Sequence, residues 1–262
     1  MSEILDDRLC CQNIKNKLND NYEIEVLPVT DSTNTYLKEL AKKNNSLDKY
    51  IVIAEKQTDG RGRFGRSFIS PDGEGLYMSI LLRPELSFED TALLTIAAAV
   101  SVCEAIEKLT NCNTDIKWVN DILINGKKVC GILSESSIDC KENKISFAVV
   151  GVGINVNMKT IPVEIRDIAT SLEKENKNKI SRNALASEII NTFDKYAECL
   201  TERKYIDYYR KKSVVLGKNI KVVDPDGNYQ AKAVDIDDNG CLIIESDNKI
   251  KTLNSGEISV KL

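Results

Sequence analysis

Histidine is absent from all 262 residues. That absence excludes Ser–His and Cys–His nucleophile pairs, a His-ligated zinc and a histidine general base. An enzyme built on this chain must work with Lys, Arg, Asp, Glu, Asn and backbone amides. Those groups suit chemistry on phosphate and carboxylate, where charge stabilisation outweighs proton shuttling. A basic surplus is also missing. Lys plus Arg number 36 against 40 Asp plus Glu, a net charge of -4, and the pI is ≈ 5.2. This argues against a general nucleic-acid binder while leaving room for a local basic patch.

No long hydrophobic run is present. The apolar stretch 91–103 is too short and too rich in Thr and Ser to span a bilayer. The first seven residues are acidic and lack the apolar heart of a signal peptide. None of the eight cysteines (Cys10, Cys11, Cys103, Cys112, Cys130, Cys140, Cys199 and Cys241) forms a C-x-x-C pair. A chain of this size needs no disulfide framework. Cys103, Cys130 and Cys241 stand in apolar runs, where a free thiol behaves as a small buried hydrophobe. Reduced structural thiols and a cytoplasmic location are expected. The 42% hydrophobic content with a small net charge excludes disorder as the main state.

What is present reads as mixed α and β. Residues 9–20 suggest a short amphipathic helix, 23–29 a strand, and Tyr36, Leu37, Leu40 and Ala41 a helical stripe. Strands are expected at 50–54, 75–82, 114–118, 122–124, 129–135 and 145–152, with Asn125-Gly126 as a hairpin turn. A long helix is expected from Ser87 to Leu109, with Asp90 completing a capping box, and another over 181–203, followed by a third at 205–211. The Lys/Asn-rich stretch 173–179 reads as an exposed loop. After Gly217 five short strands follow at 220–223, 229–236, 241–245, 250–253 and 258–260. Turn signals separate them, including Asp224-Pro225-Asp226-Gly227. They suggest a small SH3-like barrel. An α+β fold is expected, with a mixed-sheet domain over 1–216 and the barrel over 217–262.

Four segments carry candidate chemistry. Gly60-Arg61-Gly62-Arg63-Phe64-Gly65-Arg66 formally contains G-x-G-x-x-G, but a polar turn and then a strand follow it, not the helix a dinucleotide fingerprint needs. Alternating glycines and arginines instead make a cationic loop whose backbone and guanidinium groups can hold an anion. A solvated basic turn would have the same sequence. Lys117-Trp118-Val119-Asn120-Asp121 leads through the Asn125-Gly126 turn to Lys127-Lys128. This can gather lysines and an Asn/Asp pair around one pocket, or form a charged hairpin over a core tryptophan. Ser32-Thr33-Asn34 is good N-cap sequence, and its side chains could equally hold the polar end of a small ligand. Gly151-Val152-Gly153-Ile154-Asn155 is a strand whose glycines suggest close approach of a ligand or backbone.

Taken together, these segments resemble the biotin protein ligases. The match covers nearly the whole chain: Asp31-Ser32-Thr33-Asn34, the Gly60–Arg66 run, Lys117–Asp121 with Lys128 and Gly131, and Gly151–Asn155, in the family's order. The resemblance implies the biotin/lipoate-ligase type of fold and a two-step reaction. Biotin and ATP would give biotinyl-5'-AMP and pyrophosphate. A lysine of a biotin carboxyl carrier domain, of acetyl-CoA or pyruvate carboxylase, would then take the biotin. Mg²⁺ would accompany the ATP phosphates.

By motif position, Lys128 and Arg63 take catalytic roles. Ser32, Thr33, Asn34, Gln57, Gly60, Arg61, Gly62, Arg63, Lys128 and Gly131 form the biotin pocket. Arg63, Arg66, Phe68, Lys117, Asn120, Lys128 and Asn155 contact ATP or the adenylate. No protein metal ligand is implied. Phe68 stands where the family commonly has tryptophan, and Val119 where it usually has proline. Strand alternation puts Lys127 and Lys128 on opposite faces. The loop is expected to close over the adenylate. Only 31 residues precede the Ser-Thr-Asn motif, too few for the DNA-binding domain of some members, so no operator binding is expected. Homodimerisation through sheet edges is open to such a chain. A lipoate-type ligase is the nearest alternative.

Overall fold

The computed structural model describes residues 7–87, 90–139, 144–223 and 227–260. Cys140, the extreme N-terminus and most of the 224–227 turn, all named above, lie outside these residues.

Seven strands form one mixed sheet: β1 (Glu23–Thr30), β2 (Tyr50–Gln57), β3 (Gly75–Leu82), β4 (Asp115–Lys117), β5 (Asp121–Ile124), β6 (Lys127–Asp139) and β7 (Lys144–Asn155). Their order is β1-β2-β3-β7-β6-β5-β4. Only β1 and β2 run parallel, because helix α2 (Thr33–Lys43) carries the chain across between them. The other neighbours pair antiparallel. Asn125 and Gly126 both have positive φ, 52° and 75°, the conformation a two-residue hairpin demands.

Every residue of β3 is buried, because both faces of the sheet are covered. Leu76, Met78 and Ile80 join the main core with α3 (Thr91–Leu109) and α5 (Arg182–Ala197). Leu81 packs with Val52, Val149, Leu37 and Ala41 in a smaller cluster under α2. The alternation of one strand thus feeds two cores.

Four expectations are corrected. The helices expected over 9–20 and 181–203 span only Cys11–Lys15 and Arg182–Ala197. The helix expected from Ser87 begins at Thr91. Ser87 Oγ donates to Asp90 Oδ2 at 2.8 Å, so the pair closes a turn ahead of the helix and caps no helical N–H. The stretch read as a loop contains a short helix, α4 (Leu172–Asn176), anchored by the fully buried Leu172. Of the other short helices, α1 covers Cys11–Lys15 and α6 Ile206–Lys212.

The C-terminal strands β8 (Asn219–Val223), β9 (Tyr229–Ile236), β10 (Leu242–Ser246), β11 (Lys249–Leu253) and β12 (Glu257–Ser259) form an antiparallel sheet ordered β11-β10-β9-β8-β12. Its buried residues Ile220, Val222, Ala233 and Ile244 are continuous with the main core. Trp118, 3% exposed, spans the junction and donates from Nε1 to the Gly240 carbonyl at 2.9 Å. The seven described cysteines are free thiols. Among the described residues, no helix is long and apolar enough to cross a membrane.

Glu107 ties three elements together. Its carboxylate accepts from Thr114 N and Oγ1 at 2.8 and 2.7 Å, from Lys212 Nζ at 2.5 Å and from Tyr208 at 3.0 Å. Burial pushes its pKa up, but these donors together hold it below the ordinary 4.5. A carboxylate with a lowered folded pKa stabilises the fold above about pH 4.5 and loses that contribution as the pH falls through the folded value. The melting temperature of the parent protein is therefore expected to fall more steeply between about pH 5 and pH 3 than that of Glu107→Gln. Parallel slopes in a calorimetric pH series would refute this.

Candidate active site

A cleft opens at the ends of the central strands. It is lined by the start of α2, the loop after β2, the β4–β5 turn, the start of β6, the middle of β7 and the segment Gly256–Ile258.

One wall is polar and buried. Ser32, Thr33 and Asn34 are 2%, 4% and 4% exposed. Ser32 occupies the N-cap position, yet its side chain makes no capping bond; the helix start faces inward instead. Thr33 N donates to Gln57 Oε1 at 2.9 Å, and Gln57 Nε2 donates to Ser70 Oγ at 2.8 Å. Ser79, from β3, donates to Asn34 Oδ1 at 2.6 Å and lies 2.7 Å from Thr33 Oγ1. The register Ser79↔Gly151↔Leu133 places glycine under Asn34. A Cβ at position 151 would come within 2.1 Å of Asn34 Oδ1, so only glycine leaves room for that amide.

The opposite wall is cationic. Arg61, Arg63, Arg66, Lys117 and Lys128 line the cleft against two carboxylates, Asp121 and Glu257. A positive surplus in a chain of net charge -4 focuses anions here. The loop after β2 is pinned at its base: Phe68 N donates to the Gly60 carbonyl, and Gly62 N to the Arg66 carbonyl, both at 2.7 Å. Between these bonds Phe64 and Gly65 turn through positive φ, 55° and 72°. Arg63 Nη1 donates to Asn120 Oδ1 at 3.3 Å, and Asn120 is fixed by Nδ2 to the Ile132 carbonyl at 2.8 Å. Burial pulls the Arg63 pKa down, opposed by the Asp121 carboxylate. Arg66 pairs with Glu257 of β12.

Lys128 enters the cleft from β6. Its backbone is clamped by the 168–170 segment: Lys128 N donates to Ile168 O at 2.8 Å and Thr170 N to Lys128 O at 2.9 Å. Its Nζ lies 2.6 Å from Asp121 Oδ1. Lys127 turns away, to the Arg166 carbonyl at 3.3 Å. The Phe68 ring lies between the two walls, over glycines of β6 and β7. A Cβ at Gly153 would meet it at 2.8 Å and one at Gly131 at 3.5 Å. Tyr77 holds it edge-on, with centroids 6.4 Å apart. The Trp118–Val119 peptide is cis.

All but two of the residues given a catalytic or binding role from the sequence line this cleft. Gly60 lies beneath it, buried against the Phe68 carbonyl, where a Cβ would meet that oxygen at 2.3 Å. Asn155 is also away from it: its Nδ2 donates to the Thr170 carbonyl at 3.1 Å. The sequence reading missed Ser79, Tyr77, Glu257 and the 168–170 clamp. Ser79 had a signal, as a polar residue inside an apolar strand. Glu257 had none, since nothing local brings residue 257 to residue 66.

The arrangement can bind an anion such as a phosphate on one side and a small neutral polar group on the other. The sequence profile of the Biotin/lipoate A/B protein ligase family matches residues 26–155, and that of the Biotin protein ligase C terminal domain matches residues 215–261. The chain is 38% identical over 245 residues to the bifunctional ligase/repressor BirA of Bacillus subtilis, covering 88% of this chain and 72% of that protein. The biotin--[acetyl-CoA-carboxylase] ligase of Mycobacterium tuberculosis is 29% identical, with coverage of 90% and 88%. The structure of the biotin protein ligase from Aquifex aeolicus in complex with biotin and ATP superimposes with a TM-score of 0.76 at 31% identity, covering 90% of this chain and 97% of that one.

Proposed function

The chain belongs to the biotin/lipoate A/B protein ligase family, and from that premise we propose that its cleft joins biotin to ATP and passes the product to a protein lysine. The observation that carries this reading is the pairing of the two walls, one of buried hydroxyls and amides and one of cations, across the glycine-lined floor.

In the first step a biotin carboxylate oxygen attacks the α-phosphorus of ATP and pyrophosphate leaves, giving biotinyl-5'-AMP. In the second, the amine of a carrier-domain lysine attacks the acyl carbon and AMP leaves. Neither step needs a nucleophile from the protein, which suits a chain without histidine. The protein's part is to align the reactants and stabilise charge on phosphorus. Lys128 stands in the cationic wall, its Nζ beside Asp121, and would neutralise the carboxylate and α-phosphate as they meet. Arg63 and Arg66 would hold phosphate oxygens, with Lys117 and Asn120 beside them. Phe68 offers an apolar ring to the adenylate. Asp121 and Glu257 are each matched by a cation. That suits Mg²⁺ carried in on the triphosphate rather than held in a protein cage.

The polar wall also favours biotin over lipoate. A ureido ring offers both donors and an acceptor to Ser32, Thr33, Asn34 and Gln57. A dithiolane would offer no partner to the hydrogen-bonding capacity these groups have left, which disfavours it. The carrier domain of acetyl-CoA or pyruvate carboxylase as acceptor, a cytoplasmic location and a domain division at 216/217 complete the reading.

Arg63 tests the loop's role. Arg63→Gly removes a charge-assisted contact to the adenylate, and release of biotinyl-AMP into solvent is expected to rise about tenfold or more. The measurement is biotinyl-AMP passing an ultrafilter after one turnover. Unchanged retention would remove Arg63 from the adenylate site.

A further inference from the structure

Asn34 has an amide whose orientation is set by a cleft-lining carbonyl and by a carboxylate outside the cleft. Its Nδ2 donates to the Leu133 carbonyl at 3.1 Å and to Glu135 Oε2 at 2.9 Å. Its Oδ1 accepts from Ser79 at 2.6 Å. Turning the amide over would set Oδ1 against a carbonyl and a carboxylate. Glu135 is itself held: its other oxygen pairs with Lys38, one turn further along α2 from Asn34. Asn34 is nearly sealed from solvent, while Glu135 and Lys38 are 28% and 23% exposed. Neither Glu135 nor Lys38 lines the cleft.

We propose that Glu135 and Lys38 are positioning residues that lock the Asn34 amide with its oxygen as the only unspent group, so that the site demands a hydrogen-bond donor from the ligand head. Both N–H groups of Asn34 are consumed by β6. An amide oxygen has two lone pairs; Ser79 takes one, and the other is left for a ring N–H of the ureido group. The carboxylate is the stronger of the two acceptors on Nδ2, because it is charged. Burial pushes the Glu135 pKa up, but Lys38 and Asn34 hold it below the ordinary glutamate value. The acceptor is thus ionised throughout the neutral range. This role rests on the reading of the cleft as a biotin site and adds the reason for its sense of recognition.

The test uses the full-length enzyme, biotin, and biotin methylated at each ureido nitrogen in turn. Glu135→Leu keeps bulk and strand propensity while removing the acceptor. Its KM for biotin is expected to rise about tenfold, with kcat and the KM for ATP within about twofold of the parent. The penalty for methylating the nitrogen that faces Asn34, large in the parent, is expected to shrink at least about fivefold, because an amide held by the Leu133 carbonyl alone keeps its oxygen less firmly on that N–H and methylation has less to remove. Glu135→Gln retains an acceptor oxygen and is expected to restore the parent's discrimination. A biotin KM and methylation penalty both unchanged in Glu135→Leu would overturn the proposal, as would parallel rises in both substrates' KM values. Should Glu135→Leu fail to fold, the same ratios are read on Lys38→Leu. There a rise of about threefold in biotin KM alone is expected, and no change overturns the lock. Absence of biotin-dependent turnover in the parent enzyme would instead refute the substrate reading beneath it.

Discussion

Lys128→Ala is expected to lower biotin-dependent ATP–pyrophosphate exchange by about 10²–10³-fold, the range for loss of one preorganised charge stabiliser. The backbone on both sides of Lys128 is clamped by Ile168 and Thr170, so the substitution leaves the strand in place and removes only the ammonium. Its partner Asp121 is 24% exposed and can be solvated once the lysine is gone, so little loss of stability is expected. Lys127→Ala is the matched control, since that side chain turns away from the cleft to the Arg166 carbonyl. Lys128→Arg is not expected to restore the rate. A planar fork cannot occupy the same point between two anions as a compact ammonium. Exchange unchanged in Lys128→Ala, with far-UV circular dichroism also unchanged, would remove Lys128 from the chemistry.

The second large effect is on stability. Arg182, 3% exposed, gathers the N-terminal segment and the ends of β2 and β3 onto the start of α5. Its guanidinium donates to Asp7 Oδ2 at 2.9 Å, Glu55 Oε2 at 2.7 Å, the Gly75 carbonyl at 3.1 Å and the Asp7 carbonyl at 2.7 Å. Arg182→Met would leave the Glu55 carboxylate, 18% exposed, without its cation. Breaking a buried pair from one side costs about 3–5 kcal/mol, a fall of about 10 °C in melting temperature for a chain of this size. The double variant Arg182→Met/Glu55→Met is expected to recover part of that loss, because the stranded charge is gone too. A single variant within about 1 kcal/mol of the parent by denaturant unfolding would show that the knot carries no stability.

These two residues mark what the sequence makes legible. Lys128 stands in a motif, and motif alignment together with strand alternation separates it from Lys127. The strand pattern and the Asn125-Gly126 turn are local signals. So is the glycine-arginine run as a cationic loop, whereas the bonds that pin its base, Phe68 N to Gly60 O and Gly62 N to Arg66 O, carry no local signal. Arg182 has no such signal. Its partners lie 127 and 175 positions away, and only the completed sheet brings them together. The same holds for Glu257 beside Arg66, and for Glu135 beneath Asn34, 101 positions apart. Helix α4 was hidden by its polar surface, since one buried leucine in five residues gives no period to read. Asn155 takes its role from the family motif alone; in the fold it stands at the last position of β7 and its Nδ2 donates to the Thr170 carbonyl.

The central claim is that the cleft activates biotin with ATP. The direct measurement is ATP–pyrophosphate exchange by the purified protein, with biotin and lipoate offered separately. Exchange that depends on biotin and is absent with lipoate is the predicted result. Exchange with lipoate in place of biotin, or with neither in a folded sample that binds ATP, would contradict it.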